Sequence, residues 1–376
     1  MDIAKRVREA REALSYTQEE LAAEVGVGRE AVVNIEGGKR GVKVEELCDI
    51  ARVLQRPLSF FLEDEPPRSL AVSARGATAA RREVKRAELW LQRRLGDYGA
   101  LLRLLGVRDQ AGPVLAPTGL EGATAVAQAQ AAATAQRRHF GLDAEAIPDV
   151  RRFLEDQVGV PVFGREVADP DFCGLLLFEE DAPLAAVLVR SNLVASRRNF
   201  TMAHEYGHLV WKVARHDYTA DVFYRRLQQT EEERFANAFA AHLLAPDQAL
   251  KAEAEQAENG LADGDTVMRI GAKFGLSFEA ITYRLQNVGL VSAEQARRLR
   301  NTVSPSSLPS YAHEYQAFEH QSPMFRWRVI EAYCQQLTTV SRAAEMLGVT
   351  SMEFADLLDG IDSDLVEPEE WVEASA

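Results

Sequence analysis

Thr201-Met202-Ala203-His204-Glu205-Tyr206-Gly207-His208-Leu209-Val210 is the segment from which the architecture of this 376-residue chain can be worked out. At 3.6 residues per turn, a helix places His204 and His208 on one face, one turn apart, so both imidazoles can bind a single metal ion. Glu205 points in another direction and can act on a water molecule instead. Gly207 leaves room for close approach of another backbone.

This H-E-x-x-H spacing is typical of zinc hydrolases, but an ordinary amphipathic helix with solvated or core histidines can carry the same pattern. The opposite face of the segment is hydrophobic, as a buried active-site helix requires. Catalytic zinc sites usually have three protein ligands and one position open to water. A third ligand elsewhere in the chain would therefore favour the metal site.

The segment from Glu231 to Pro246 offers that ligand. It is predicted to form a helix that ends at Pro246, with an apolar stripe made by Phe235, Ala236, Phe239, Ala240, Leu243 and Leu244. Glu233 lies at the edge of this stripe, where a carboxylate could face a metal held by the first helix. Glu231 and Glu232 are interpreted as a solvated first turn, which suits the positive end of a helix.

The two segments together resemble the ImmA/IrrE family of metallopeptidases, and so does the lead-in from Arg197 to Ala203. The resemblance implies that His204, His208 and Glu233 bind zinc (Zn²⁺) and that Glu205 is the general base. Manganese (Mn²⁺) could replace zinc, because two imidazoles and a carboxylate select weakly between these ions. Family members are associated with cleaving helix-turn-helix repressors in stress responses or mobile-element control, which implies a protein substrate of that kind.

Three other residues near these motifs carry weaker expectations. His242 stands where the family often has an acidic or polar residue, and it is predicted to lie at the helix surface rather than at the site. Tyr206 or His216 could add a hydrogen-bond donor, but nothing in the sequence fixes either one there.

Residues 1–65 form a separate helical unit. Thr17, with Glu20 three residues later, predicts a capping box at the start of a short helix. Gly26-Val27-Gly28 predicts a tight turn before a further helix that begins at Arg29. Two helices joined by a glycine-containing turn are typical of a helix-turn-helix unit, although a small bundle of other function has the same pattern.

The segment from Ser15 to Arg40 resembles the Cro/repressor-type (Xre-like) helix-turn-helix family. The resemblance implies that the helix from Arg29 enters the major groove of double-stranded DNA and that the protein binds an operator as a homodimer. Arg suits guanine and Glu can accept from cytosine N4. The candidate DNA-binding residues are Gln18, Arg29, Glu30, Asn34, Lys39 and Arg40.

The whole chain is expected to be mostly helical α+β. Apolar runs at 173–178 and 184–189 predict a hairpin in a small sheet that packs on the His204 helix, with another short strand at 160–163. The expected units are the helix-turn-helix bundle at 1–65, a linker and long helix at 66–122, a zincin-like metallopeptidase domain at 123–300, and a C-terminal helical region with an acidic tail at 301–376.

Composition limits the remaining possibilities. A net charge of −14 argues against general coating of nucleic acid, but not against one local basic face. No apolar run approaches a membrane span, the N-terminus lacks the apolar core of a signal peptide, and the three cysteines form no disulfide framework. We therefore expect a cytoplasmic protein that does not bind membranes.

Three functional hypotheses remain open. The chain could be a DNA-localised protease that cleaves a partner repressor or itself, a regulator whose metal-binding fold is a sensor or scaffold, or an antitoxin-like binding module. Because His204, Glu205, His208 and Glu233 are all present, the sequence favours a DNA-binding transcriptional regulator with an active metallopeptidase domain.

Overall fold

The computed structural model describes residues 3–56, 58–62, 79–107, 122–179, 184–215, 221–224, 230–257, 260–302 and 318–364. Several predictions fall outside these ranges. They concern His216, the linker at 66–77 and the acidic tail beyond residue 364.

The N-terminal unit consists of α1 (Ile3–Ala13), α2 (Gln18–Val25), α3 (Arg29–Glu36), α4 (Val44–Val53) and α5 (Leu58–Leu62). The predicted capping box is confirmed, because the Thr17 hydroxyl accepts from the Glu20 amide and the Glu20 carboxylate accepts from the Thr17 amide. Gly26 ends α2 with a φ of 75°, a conformation that favours glycine. The helices enclose a core of their own, which includes Val7, Leu21, Ile35, Ile50 and Phe61.

The long helix α6 (Ala79–Leu105) connects this bundle to the rest of the molecule. Leu89 belongs to the core of the N-terminal bundle, whereas Leu91 on the same helix belongs to the core beside the sheet. The Arg82 guanidinium donates to the Glu20 carboxylate at 2.9 Å and lies 4.5 Å from the centre of the Tyr16 ring. These contacts fix α6 against the helix-turn-helix unit.

The sheet has four strands in the order β1-β3-β2-β4. Their bounds are β1 (Val162–Arg165), β2 (Phe172–Glu179), β3 (Leu184–Arg190) and β4 (Asp221–Tyr224). The predicted hairpin strands β2 and β3 are antiparallel neighbours, with Gly174 opposite Val189, whereas β1 pairs with β3 in parallel. The sequence analysis missed β4, which pairs with β2.

Helices cover both faces of the sheet. One face packs on α9 (Ala195–Arg215), as expected, with α7 (Ala125–His139) and α10 (Glu231–Leu244) in the same core. The other face packs on α6 and on the C-terminal helices. The remaining bounds are α8 (Val150–Arg152) continuing into a π-helical segment (Phe153–Val158), α11 (Asp247–Glu255), α12 (Gly264–Lys273), α13 (Phe278–Asn287), α14 (Ala293–Thr302), α15 (Pro323–Cys334), α16 (Val340–Leu347) and α17 (Ser351–Asp364).

The fold is therefore a mostly helical α+β structure, as the sequence predicts. Successive side chains of the central strands point to opposite faces of the sheet, and because both sets are apolar, both faces are covered. In β3, Val187 faces the α9 side and Leu188 faces the α6 side, and both are buried. Among the described helices, none has the length and apolar character that spanning a bilayer requires.

Candidate metal centre and nucleic-acid interface

Three side chains from two helices converge at one point. His204 and His208 lie one turn apart on α9, and their Nε2 atoms are 2.9 Å from each other. Glu233, in the first turn of α10, places one carboxylate oxygen 3.5 Å from His204 Nε2 and the other 3.6 Å from His208 Nε2. The structure thus brings together the three ligands that the family resemblance implies.

Ligand atoms bonded at about 2.0–2.2 Å to a tetrahedral metal ion lie about 3.3–3.6 Å apart. The separations between Glu233 and the two histidines match this range, whereas the two Nε2 atoms, at 2.9 Å, would have to move apart to bind one ion. Metal binding also needs neutral imidazoles. Burial, with a smaller contribution from His208, lowers the pKa of His204 to about 4. The imidazole of His204 is therefore neutral, and able to bind a metal, near neutral pH.

The sequence predicted that Glu232 is solvated, but its carboxylate contacts two side chains of α9. Its carboxylate lies 3.0 Å from Nδ1 of His208 and 3.5 Å from the ammonium of Lys212. Since a carboxylate can only accept, this contact favours the His208 tautomer with its proton on Nδ1, in which Nε2 carries the lone pair that a metal binds. The interpretation was wrong because the first turn of α10 lies against α9, which brings both Glu232 and Glu233 to the histidines. Glu231 is exposed.

Glu205 is fully buried between α9 and the sheet. A Cβ atom added at Gly174 in β2 would lie 2.9 Å from Glu205 Oε1 and 2.5 Å from Thr201 Cγ2. Only glycine therefore lets the strand lie so close to this part of α9. The sequence analysis missed Gly174, although a glycine inside an apolar strand often marks a close approach.

Gly207 has the role that the sequence predicts. A Cβ atom there would lie 2.9 Å from the Cα atom of Ala236 in α10. The glycine thus lets α9 and α10 approach closely enough for Glu233 to reach the histidines. Asn237, one turn beyond Glu233, lies close enough to His204 to raise the pKa of its imidazole, and it was also missed as a site residue.

Two further residues lie away from the three converging ligands. The Tyr206 hydroxyl donates to Gln136 Oε1 at 2.5 Å inside the core, so its role as a donor at the site is not supported. The Nδ1 atom of His242 lies 2.8 Å from the Arg284 guanidinium and 3.2 Å from the Asp247 carboxylate. Burial lowers the pKa of His242 to about 4. His242 is therefore part of a polar cluster between α10 and its neighbouring helices.

A cleft of about 780 Å³ opens beside the site, and we call it the α9–α13 cleft. The ring of Phe200, which lines it, lies 6.3 Å from the ring of His204. Asn237 also lines the cleft and contacts His204. The lining of the cleft includes Arg190, Arg197, Phe200, Asn237, Glu279 and Tyr283.

The candidate DNA-binding residues differ in their exposure and in the hydrogen bonds that they already make. Arg29, Glu30 and Lys39 are exposed, whereas Gln18, Asn34 and Arg40 are half-buried. The Gln18 amide donates to the Glu36 carboxylate at 2.9 Å. The Arg40 guanidinium donates to the Glu46 carboxylate at 2.5 Å. Gln18 and Arg40 therefore already have partners within the bundle.

Comparison with known proteins identifies two families within the chain. Residues 7–61 match the helix-turn-helix family model, and residues 174–286 match the model of peptidase family M78, described as the IrrE N-terminal-like domain. The two matches lie in the order that the sequence predicts.

Similar individual proteins were also found. An uncharacterized transcriptional regulator in the ATPase CF(0) region of Rhodospirillum rubrum is 36% identical over 62 residues, which are 16% of this chain and 57% of that protein. An uncharacterized HTH-type transcriptional regulator of Archaeoglobus fulgidus is 42% identical over 62 residues, which are 16% of this chain and 89% of that protein.

Among solved structures, the crystal structure of Bacillus thuringiensis PlcR in complex with the peptide PapR7 and DNA matches at 12% identity. That match covers 98% of this chain and 99% of the other, but its TM-score is 0.16. A score this low supports no conclusion about this chain.

Proposed function

Since this chain belongs to the helix-turn-helix regulators through residues 7–61 and carries an IrrE N-terminal-like peptidase domain at 174–286, we propose that it is a DNA-binding transcriptional regulator with zinc-dependent endopeptidase activity. Its substrate is a helix-turn-helix repressor or another partner protein in a stress or mobile-element response. The observation that carries the proposal is the convergence of His204, His208 and Glu233, with Glu205 buried on the same helix.

The chemistry follows from the positions of these groups. A bound zinc or manganese ion supplies Lewis acidity, which polarises a carbonyl oxygen and makes water more acidic. Glu205 takes the proton of the attacking water and passes it to the nitrogen of the leaving amine, so the carboxylate is regenerated. Glu232 holds the imidazole ring of His208 in orientation.

The helix-turn-helix unit brings the peptidase to specific sites on DNA. In this proposal α3 enters the major groove and Arg29 reads a guanine, while Lys39 contacts phosphate. Two copies bind two half-sites as a homodimer. Arg82 and Tyr16 fix the bundle to α6, which packs on the peptidase sheet, so the two functions sit on a connected scaffold.

The test compares purified, zinc-loaded full-length protein with Glu205→Gln and with Glu231→Gln as the matched control, because Glu231 is exposed in the first turn of α10. The substrates are peptides from a denatured proteome, and metal content is measured in parallel. We expect Glu205→Gln to retain zinc and to lose turnover by at least about a hundredfold. Turnover in Glu205→Gln equal to that in an active Glu231→Gln would refute Glu205 as the general base. Absence of turnover in wild type and in Glu231→Gln alike would refute the peptidase and favour a metal-binding sensor or scaffold.

A further inference from the structure

Arg197 is a motif residue that the proposed reaction does not use. It belongs to the lead-in that precedes His204 and lines the α9–α13 cleft. Arg197, Phe200 and His204 are separated by three and four residues on one helix, so they form a single stripe along α9. The seven-residue separation places Arg197 about 10 Å along the helix axis from His204.

The Arg197 guanidinium is available to a ligand. It is half-buried, and one of its nitrogens lies 3.5 Å from Cys173 Sγ. Within the described part of the chain, no carboxylate lies within ion-pair distance of it. The next residue, Arg198, is different, because it is buried and donates to the backbone carbonyls of Ser191 and Leu193.

A second guanidinium makes the cleft more positive. Arg190 donates to the Asn192 side chain and to the carbonyls of Asp169 and Pro170, which are neutral partners. Arg284 also lines the cleft, but its charge is balanced by Asp247. Glu279, on α13, is the one acidic group among the lining residues. A concave surface with two arginines facing one glutamate attracts a negatively charged ligand group.

We propose that the α9–α13 cleft is a substrate subsite that binds an acidic side chain, and that Arg197 is its specificity-determining residue. This proposal rests on the proposed peptidase function. Because an extended peptide advances about 3.3 Å per residue, the 10 Å between Arg197 and His204 corresponds to roughly three residues. The acidic residue therefore lies two to four residues from the scissile bond. Tyr283, half-exposed, lines the same cleft, with the Arg300 guanidinium 4.2 Å from the centre of its ring.

The first test maps cleavage sites in the denatured-proteome peptides for wild type and for Arg197→Glu, both zinc-loaded and full-length. Arg152→Glu is the matched control, because Arg152 is an exposed arginine on α8 that does not line the cleft. In wild type we expect Asp and Glu to be enriched at one position two to four residues from the cut. Arg197→Glu should lower the ratio of acidic to basic residues there roughly ten- to thirtyfold, the effect of replacing a weak attraction by a repulsion.

Unchanged residue preferences in Arg197→Glu would overturn the subsite. Arg197→Gln serves as a milder variant in case charge reversal impairs folding, and it should abolish the preference without reversing it. Thermal unfolding of all variants shows whether each is folded.

A binding measurement separates this proposal from the peptidase proposal. Glu205→Gln protein is titrated with fluorescein-labelled Ala-Leu decapeptides that carry Asp or Lys at alternate positions, and anisotropy is recorded. We expect at least about fivefold tighter binding of the Asp peptide, and no such preference once Arg197→Glu is added. Equal binding of the two peptides refutes the subsite. An Asp preference in a wild-type protein that cuts no peptide refutes the peptidase and leaves the cleft as a binding site for acidic peptides.

Discussion

Glu232 provides a sharp test of how the metal centre is built, because three consecutive glutamates begin α10 and each has a different environment. Glu231 is exposed, Glu232 contacts His208 Nδ1, and Glu233 faces the Nε2 atoms of both histidines. Substituting each in turn removes the same chemical group, a carboxylate, at three adjacent positions of one helix. The series therefore separates a ligand, a residue that positions a ligand, and a matched surface control.

The loss of metal affinity expected on substitution of Glu232 follows from its contact with His208. The 3.0 Å separation orients the ring and increases the electron density on Nε2. Loss of such a partner typically weakens metal binding ten- to hundredfold, which corresponds to about 1.4–2.7 kcal/mol. Glu232→Gln keeps an oxygen acceptor and should fall near the lower end. Glu232→Ala removes the acceptor and should fall near the upper end.

Zinc affinity is measured at pH 7 by competition with a chromophoric chelator on full-length protein. We expect Glu231→Gln to match wild type, Glu232→Gln and Glu232→Ala to be progressively weaker, and Glu233→Gln to be weakest. Thermal unfolding without metal checks that each variant is folded, since Glu232 also contacts the buried ammonium of Lys212. Equal zinc affinity in Glu231→Gln and Glu232→Ala would refute the role assigned to Glu232.

Three further predictions concern other parts of the molecule. Gly174→Ala should reduce peptide turnover at least about tenfold, because the added Cβ would meet Thr201 and displace the Glu205 carboxylate. Gly96→Ala is the control and should keep its turnover, since a Cβ there meets nothing within 4 Å. Equal turnover in the two variants would contradict this prediction. Burial lowers the pKa of His242 to about 4, so as the pH falls the imidazole is protonated in the unfolded chain before it is protonated in the folded one. The free energy of unfolding should therefore fall by up to about 3 kcal/mol between pH 6.5 and about pH 4. His242→Gln should flatten that dependence in denaturant titrations, and an unchanged slope would show that His242 is not the cause. Arg29→Ala should reduce binding to a selected operator by about 1–3 kcal/mol while leaving non-specific DNA binding nearly intact, and an equal loss on both DNAs would assign Arg29 to phosphate instead.

Local spacing predicted much of the metal site. The interval of four between His204 and His208 is a property of any helix, so their shared face needed no knowledge of the fold. Likewise, Thr17 and Glu20 are close enough in sequence to form a capping box wherever the helix lies. The apolar stripe of α10 made Glu233 a candidate, but only the family resemblance implied that it meets the histidines, since no local rule brings α10 against α9.

The features that the sequence analysis missed depend on how elements pack. Whether Glu232 faces water or His208 is decided by the orientation of α10 on α9, and adjacent residues on a helix differ by about 100° in direction. Gly174 matters only because β2 passes close to Glu205. The short strand β4 is defined by pairing with β2, and its four residues carry no long apolar pattern.

The central claim is that this DNA-binding chain is an active peptidase whose general base is Glu205. The most direct measurement compares newly formed protein N-termini in the native host between wild type and Glu205→Gln, with and without DNA damage or oxidative stress. We expect a short set of N-termini that disappears in Glu205→Gln and that maps to a helix-turn-helix protein or to this chain itself. Identical sets in the two strains, with promoter occupancy that still depends on Arg29, would contradict proteolysis and identify the chain as a transcription factor with a metal-binding scaffold.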